Sequence, residues 1–316
     1  MPPAPPPFVP GTEAFNPATE ALDTWPVPVQ VATLWEGQMN AVAAIRPALA
    51  AIAAAVEAAL PRLRAGGRLA YAGAGSSGRL AAQDGAELEP TFDWPAARTI
   101  LLVAGGPRAL TEAVENAEDD TDAARRDVDA ARLGPDDVLI ALAASGRTPY
   151  TLACVDAARA AGALAIGIAN SAEAPLLARS TCPVLVETGA EAIAGSTRMK
   201  AGTAQKIVLN LLSTAMMIGL GRVHAGRMVD MRARNEKLRH RAVRMVQDVT
   251  GCTAPEAADA LARTDGRVKP AILVALGLTP DEAAGALARH DGRLRGALGS
   301  VTEKFRPVLA SARKDS

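Results

Sequence analysis

The sequence predicts an α/β fold: a parallel, doubly wound sheet covered by helices, followed by a small domain made only of helices. Short apolar segments alternate with helical patterns up to about residue 235, which is typical of a parallel sheet. Apolar residues make up 49% of the 316 residues, enough to bury a large core. Beyond residue 235 the strand patterns stop, and short helical patterns separated by glycine take over.

The first predicted element is a long helix. Residues 34–63 are rich in alanine and carry larger apolar residues at helical spacing, and Pro47 predicts a bend. The ten residues at the start, MPPAPPPFVP, are expected to form a loose tail. They lack the charged and apolar regions of a signal peptide, and we find no apolar run of about 18 residues that predicts a membrane span.

Five segments are predicted to form the strands of the sheet. Each is a short apolar run, and helical patterns separate one run from the next. Turns such as Gly-Gly-Pro and Gly-Pro-Asp mark the breaks. The predicted strands are residues 68–72, 98–104, 137–143, 164–168 and 182–186.

A turn rich in glycine and serine, GAGSSG, joins the first predicted strand to a helix. Gly75 lets the backbone bend, and Ser76 and Ser77 bring hydroxyl and N–H groups to a helix start, where anions bind. The spacing imitates G-x-G-x-x-G, but no acidic residue ends a second strand about 20 residues further on, as ribose binding requires. A phosphate is therefore the expected ligand, ahead of a nucleotide, although such turns also serve as plain connections.

A second turn of the same design, ASGRTPY, follows the third predicted strand and contains Ser145, Gly146 and Thr148. The carboxyl ends of parallel strands open on one edge of a sheet, so the two turns can face one ligand. The alternative is that each serine or threonine only caps its helix. The presence of two matching turns favours a shared phosphate site.

A third polar turn, GSTRMK, precedes a strongly apolar helix. Because Leu211 and Ile218 belong to its apolar pattern, we expect the helix to be buried, either in the core or against a dimer partner. Cations in this turn can neutralise an anionic ligand group at the helix start, although cations in loops are often only solvated. The candidate contacts are Ser196, Arg198, Lys200 and Thr203.

Charge and cysteine content narrow the functional classes. The 34 basic and 34 acidic residues cancel, and no run of lysine and arginine occurs, which argues against a nucleic-acid surface. Three scattered cysteines provide neither C-x-x-C pairs nor a disulfide framework, so a reducing cytoplasm is the expected location. The three histidines lie too far apart in the sequence to predict a metal site.

The C-terminal helical region contains two similar helix starts, TAPEA and TPDEA. Each places threonine at the capping position with proline in the first turn. We interpret them as packing elements of one small domain and not as a repeat array. The predicted domains are residues 1–235, the catalytic domain, and residues 236–316, the helical domain.

Carboxylates are the candidates for acid–base chemistry. Glu87 lies one helix length past the first turn, near the sheet edge where a sugar would lie. Glu115 and Glu118 are three residues apart in AVENAEDD, roughly on one helix face. Spacing alone does not distinguish any of them from a solvated surface acid.

At this point the motifs match a known family. The chain closely resembles the N-acetylmuramic acid 6-phosphate etherases, which are built on the sugar isomerase (SIS) phosphosugar-binding domain with a ubiquitin-associated-like helical tail. The resemblance covers nearly the whole chain and rests on long motifs. They are TEAFNPATEALDT, GAGSSGRLAAQDGAELEPTF, AVENAEDD, AASGRTPY, GSTRMKAGTAQKIVLNLLSTAMM and MVDMRARNEKL.

The resemblance implies cleavage of the D-lactyl ether of N-acetylmuramic acid 6-phosphate, giving N-acetylglucosamine 6-phosphate and D-lactate during recycling of cell-wall amino sugars. It assigns Glu87 as the proton donor to lactate and Glu118 as the base at C2, and we expect both to be buried beside the phosphate. By analogy with SIS domains, the phosphate would be held by the hydroxyls of both turns. No cofactor is implied. These hydroxyls belong to Ser76, Ser77, Ser145 and Thr148.

Two departures from the family pattern leave the surroundings of the site open. Leu88 and Glu89 replace Cys-Pro in the family's Glu-Cys-Pro-Pro-Thr, and His224-Ala225-Gly226 replaces an aromatic-Gly-Asn sequence. A phosphosugar sensor without catalysis would keep both turns but need neither glutamate. An aldose–ketose isomerase would use a base at C2 but release no lactate. The apolar helix after the third turn favours a homodimer.

Overall fold

The computed structural model describes residues 11–231 and 236–300. The proline-rich start and part of the MVDMRARNEKL motif lie outside these residues. The chain forms two compact units. One comprises residues up to Ala86 together with Ala96–Ala215, and the other comprises Glu87–Pro95 together with the chain from Met216 onward. The predicted domain boundary at residue 235 stays a prediction.

Five parallel strands form the sheet of the first unit; the second strand of the chain lies at one edge, followed by the first, third, fourth and fifth. Each lies within one residue of its predicted range, because apolar runs bounded by turn residues are strong strand signals. The α/β class is confirmed. The strands are β1 (Leu69–Gly73), β2 (Thr99–Val103), β3 (Val138–Leu142), β4 (Leu164–Ala169) and β5 (Cys182–Leu185).

Helices surround this sheet. The face that carries Ala70 and Leu139 packs against the helices Thr121–Ala131 and Pro149–Ala160 in one apolar cluster. On the other face, Tyr71 donates a hydrogen bond to Asp84 of the helix that follows the first strand. The helices of this part are α1 (Val27–Ala43), α2 (Leu49–Arg64), α3 (Gly75–Phe92), α4 (Thr121–Ala131), α5 (Pro149–Ala160), α6 (Pro175–Arg179) and α7 (Lys200–Gly219).

The predicted long helix is two helices, α1 and α2, separated at the 3-10 turn Arg46–Ala48 that contains Pro47. Taken together, Val27–Arg64 is apolar enough by composition to cross a membrane, with 33% of the tested window buried. The statement that the sequence holds no such run is therefore wrong. Core helices of soluble proteins meet the same criterion. The bent pair of helices Val268–Ala275 and Pro280–Arg289 meets it only if counted as one broken span.

The second unit contains a two-stranded antiparallel hairpin, β6 (Val223–His224) and β7 (Arg227–Met228), and helices around one apolar core, to which the helical residues 294–300 also contribute. Its buried Lys269 binds Asp230 at 2.6 Å and the Gly292 carbonyl at 2.8 Å. Both predicted helix starts form capping boxes, since Thr253 and Thr279 each pair with a glutamate three residues later. The helices are α8 (Glu236–Thr250), α9 (Ala254–Ala262), α10 (Val268–Ala275) and α11 (Pro280–Arg289).

The end of α3 belongs to this second unit. Arg222 donates to the carbonyls of Phe92 and Asp93 at 2.6 and 3.0 Å, and its guanidinium lies 5.2 Å from the centre of the Trp94 ring. Pro90 lies inside the last turn of α3, which continues to Phe92.

Candidate active site

The two serine turns leave neighbouring strands at the same height. β1 and β3 pair in parallel, and Gly73 at the end of β1 lies opposite Leu142 at the end of β3. From β1 the chain adds β2 on one side of the sheet and then β3, β4 and β5 on the other side. Ligands of doubly wound sheets bind where the order of the strands changes side, which here is between β1 and β3. The sheet therefore brings the two predicted turns to one edge.

Close backbone packing shapes the first turn. Gly75 has φ +53°, in the left-handed region. The start of α3 also lies directly against the end of β1, since a Cβ on Gly78 would be 2.7 Å from the Gly73 carbonyl oxygen. Ser76 is half-buried and Ser77 is buried at the first turn of the helix, where backbone N–H groups lack intrahelical partners.

The Ser77 hydroxyl is the start of a buried chain of hydrogen bonds. It donates to Oε1 of Gln205 at 2.8 Å, and Nε2 of Gln205 donates to Oδ1 of Asn170 at 3.0 Å. Nδ2 of Asn170 in turn donates to the Val186 carbonyl at 3.0 Å. Ser77 therefore ties α3 to α7 and to the ends of β4 and β5, and offers a ligand its remaining acceptor sites and its backbone N–H.

The second turn is held by Gly146, whose φ is +67°. A Cβ at this position would overlap the Ala174 side chain. Ser145 Oγ accepts a hydrogen bond from the Arg147 N–H at 3.3 Å. Thr148 occupies the capping position of α5, yet its hydroxyl makes no capping bond. The alternative that each hydroxyl only caps its own helix therefore does not hold for Thr148 or for Ser77, whose hydroxyl donates to Gln205.

The third turn differs, because the chain supplies its own anion there. Glu191 is fully buried, and its carboxylate accepts hydrogen bonds from the N–H groups of Lys200 and Ala201, each at 3.0 Å. The Lys200 ammonium donates to the Thr188 carbonyl at 2.9 Å. Ser196 is half-buried beside this start. The N-terminus of α7 is therefore already neutralised from within.

The prediction that the apolar helix α7 is buried is only partly confirmed. Met216 is fully buried, but Leu211 and Ile218 are 38% and 52% exposed. This leaves apolar side chains of α7 uncovered in the single chain.

A cavity of about 460 Å³, here called the basic cavity, lies between the first halves of α3 and α7. Among the described residues, three cationic side chains and no carboxylate line it. Ser76 of the first turn is part of its wall. The polar side chains that line it are Ser76, Arg79, Gln83, Arg198, Thr203 and Lys206.

A buried aspartate lies next to this cavity. Asp84 of α3 accepts hydrogen bonds from Tyr71 at 3.0 Å, Asn210 at 3.0 Å and Ser213 at 3.2 Å. Burial raises the pKa of Asp84, opposed by these hydrogen bonds and by the charge of Lys206. The cluster joins β1, α3 and α7.

The two candidate catalytic glutamates are exposed in the single chain, so the expectation that both are buried is wrong here. Glu87 lies in α3 and is the first residue of the second unit. Glu118 lies in the 3-10 turn Ala117–Asp119, after β2, the strand that pairs with β1 on the other side. Within residues 11–231 and 236–300, no group of three or more histidine, cysteine or acidic side chains is arranged to hold a metal.

Sequence reasoning missed the polar side chains that support these turns. Asp84, Asn170, Glu191 and Gln205 are all buried and hydrogen-bonded. The sequence pattern that could have revealed them is a polar residue at a helix position that faces the core. Asp84 and Gln205 both lie inside motifs quoted above, GAGSSGRLAAQDGAELEPTF and GSTRMKAGTAQKIVLNLLSTAMM.

Comparisons with known proteins agree with this architecture. Family models match for the N-terminal SIS domain of glucokinase regulatory protein over residues 51–159 and for the SIS domain over residues 111–215. A model for the C-terminal lid domain of glucokinase regulatory protein matches residues 225–270. The helical C-terminal region is thus confirmed, while its likeness to ubiquitin-associated domains stays a prediction.

Similar proteins include the N-acetylmuramic acid 6-phosphate etherase of Deinococcus radiodurans, 53% identical over 83% of this chain and 86% of the relative. The etherase of Streptomyces coelicolor is 47% identical over 84% of this chain and 85% of the relative. Among solved structures, an Escherichia coli CFT073 protein in complex with A5P aligns with a TM-score of 0.47 at 18% identity, over 64% of this chain and 97% of the other. With SIS-type turns at the sheet edge and this level of identity, the chain belongs to the N-acetylmuramic acid 6-phosphate etherase family.

Proposed function

We propose that the protein is a carbon–oxygen lyase that cleaves the D-lactyl ether of N-acetylmuramic acid 6-phosphate, releasing N-acetylglucosamine 6-phosphate and D-lactate. Membership of the etherase family supports the reaction. The structural observation that carries the proposal is the pair of serine turns at the ends of adjacent strands β1 and β3.

The phosphate binds between these turns. Ser76, Ser145 and Thr148 present hydroxyls, and the start of α3 adds backbone N–H groups and the positive end of the helix dipole. Ser77 contributes its N–H while its hydroxyl holds Gln205. Gly75 and Gly146 allow the backbone to approach the ligand. Ser196 and Lys200 have a smaller role, because Glu191 already occupies the start of α7.

Two glutamates perform the elimination. In the ring-opened sugar, the C1 aldehyde acidifies the hydrogen at C2, and Glu118 removes it. The C3–oxygen bond breaks as Glu87 gives a proton to the departing lactate oxygen. Water then adds at C3 of the unsaturated aldehyde and leaves a hydroxyl where lactate stood. Each acid or base step contributes on the order of 10²–10⁴-fold.

The protein acts as a cytoplasmic homodimer. The first unit carries an exposed apolar stripe along α1, in which Val27 is 67% exposed and Trp35 62% exposed. Its members recur every three or four residues, so they lie on one helix face. A patch of this kind on a soluble protein marks an interaction surface. The stripe comprises Val27, Val31, Trp35, Met39 and Val42.

Release of D-lactate from N-acetylmuramic acid 6-phosphate tests the reaction. We expect wild type to release lactate, and Glu87→Gln and Glu118→Gln each to lose activity by about 10²-fold or more while still binding the phosphosugar. Glu89→Gln and Glu115→Gln are matched controls on the same segments and should retain activity.

Binding of the phosphosugar without lactate release by wild type would contradict the proposal and move the protein to the sensor class. Conversion of an aldose phosphate to a ketose phosphate without lactate would indicate an isomerase. Loss of activity in Glu89→Gln with full activity in Glu87→Gln would reassign the proton donor.

A further inference from the structure

The basic cavity carries positive charge in addition to the N–H and hydroxyl groups of the first serine turn, which bind the phosphate under the proposed function. Arg79, Arg198 and Lys206 line it, and the residues that form its wall include no carboxylate. Since Ser76 belongs both to the phosphate turn and to this wall, the cavity opens next to the proposed phosphate position. The structure thus provides positive charge beyond the turn itself.

Two of the three cations are available to a ligand. Arg79 is committed to the chain, because its guanidinium donates to the carbonyls of Ala109 at 2.9 Å and Glu112 at 2.8 Å. Arg198 is exposed and Lys206 is half-buried. Neither side chain makes a hydrogen bond or ion pair with another residue that the structure describes. Arg198 lies in the turn before α7 and Lys206 lies in α7, and both side chains line the basic cavity.

The neighbouring acid makes no hydrogen bond with the Lys206 ammonium group in the part of the chain that the structure describes. The Asp84 carboxylate receives hydrogen bonds from Tyr71, Asn210 and Ser213, and Lys206 acts on it only through its charge. The ammonium group of Lys206 is therefore free to form a charge-assisted hydrogen bond with an anion in the cavity.

We propose that Arg198 and Lys206 bind the carboxylate of the lactyl group. This inference rests on the proposed function, under which the substrate has two anionic ends: the phosphate at C6 and the lactyl carboxylate on the ether at C3. α3 rises about 1.5 Å per residue, so Gln83 lies about 10 Å along the helix axis from Ser76, a span comparable to a phosphorylated hexose with its lactyl arm. The cavity and the turn together match the two charges.

The consequence is selectivity for the lactyl ether. N-acetylglucosamine 6-phosphate has the phosphate but no carboxylate, so it makes only the contacts at the turn. The two cations therefore favour the substrate over its sugar product and over other phosphosugars. They act in recognition of the leaving group, whereas the proton transfers remain with the glutamates.

Calorimetric titration of two ligands tests this assignment. N-acetylmuramic acid 6-phosphate is titrated into proteins that carry Glu118→Gln, which slows turnover by about 10²-fold or more, and N-acetylglucosamine 6-phosphate is titrated in parallel. Arg198→Gln and Lys206→Gln should each weaken binding of the lactyl ligand about tenfold to a hundredfold. Binding of the ligand without carboxylate should change less than twofold, which also shows that the variants are folded.

Arg125→Gln is the matched control, since Arg125 is 60% exposed, pairs with Asp122 and lies outside the cavity. It should bind both ligands as wild type does. Lys206→Arg and Arg198→Lys keep the charge and should retain most of the affinity for the lactyl ligand.

Equal losses for both ligands would overturn the inference by showing that the cavity holds the phosphate, and unchanged binding of both ligands would overturn it as well. Failure of the proposed function gives a different result: wild type releases no lactate, while the variants still separate the two ligands by the presence of the carboxylate.

Discussion

The starts of α3 and α7 look alike in sequence but differ in structure. Both follow turns rich in glycine, serine and threonine, and both predict an anion site at a helix N-terminus. At α7, the buried Glu191 carboxylate already accepts two N–H groups. At α3, Ser76 is half-buried beside the basic cavity, and Gly75 holds the backbone in a left-handed conformation. We therefore propose the start of α3, and not the start of α7, as the anion site.

Removal of the Glu191 carboxylate from the start of α7 should have the largest effect among the tests of this difference between the two helix starts. Glu191→Ala leaves the partly buried N–H of Lys200 and the buried N–H of Ala201 without their charged acceptor. Hydrogen bonds to charged groups contribute about 1.5–3 kcal/mol each. We expect the free energy of unfolding to fall by about 4 kcal/mol in urea titrations.

Glu187→Ala is the control, because Glu187 is exposed on the same segment. Its stability should stay within about 0.5 kcal/mol of wild type. Wild-type stability in Glu191→Ala would show that the carboxylate does not hold the start of α7.

The proposed phosphate site at the start of α3 also uses the second serine turn, and Gly146 fixes the conformation of that turn. Gly146→Ala places a side chain at φ +67° and against Ala174. Strain and overlap should lower the free energy of unfolding by about 2–3 kcal/mol. Gly134 has no heavy atom within 4 Å of a new Cβ, so Gly134→Ala should be neutral or slightly stabilising in the same urea titration. Equal stability of the two variants would contradict the packing described for this turn.

Two buried aspartates, Asp84 and Asp137, should change the free energy of unfolding in opposite ways as pH changes. Burial raises the pKa of Asp84, so the folded state holds this proton more tightly than the unfolded chain does. The associated stability is present below the ordinary aspartate pKa and is lost as pH rises through the folded value. Wild type should therefore lose stability relative to Asp84→Asn between acid and neutral pH in urea titrations.

Asp137 should show the opposite trend. Burial acts to raise its pKa, but hydrogen bonds from the Arg68 side chain and from the N–H groups of Arg68 and Gly134 lower it overall. Its contribution is present above the ordinary aspartate pKa and is lost as pH falls through the folded value. Asp137→Asn should therefore cost more stability at neutral pH than in acid. The same pH trend in both variants would contradict these assignments.

The sequence predicted much of this architecture, because strands and turns leave local signals. All five strands and both serine turns lie where apolar runs and glycine spacing predict them. The support of the site depends on pairs far apart in the chain, such as Ser77 with Gln205 and Lys200 with Glu191. No local pattern reveals which acid caps α7. Burial of Glu87 and Glu118 was predicted wrongly, since resemblance transfers a residue's role but not its exposure.

Phosphosugar binding by two serine variants tests the central claim most directly. Titration of N-acetylglucosamine 6-phosphate into Ser76→Ala, at the open helix start, should show an affinity about tenfold below wild type, because a hydrogen bond to a charged phosphate is lost. Ser196→Ala, at the helix start already filled by Glu191, should bind like wild type. Equal loss in both variants, or a loss only in Ser196→Ala, would contradict the assignment of the phosphate to the start of α3.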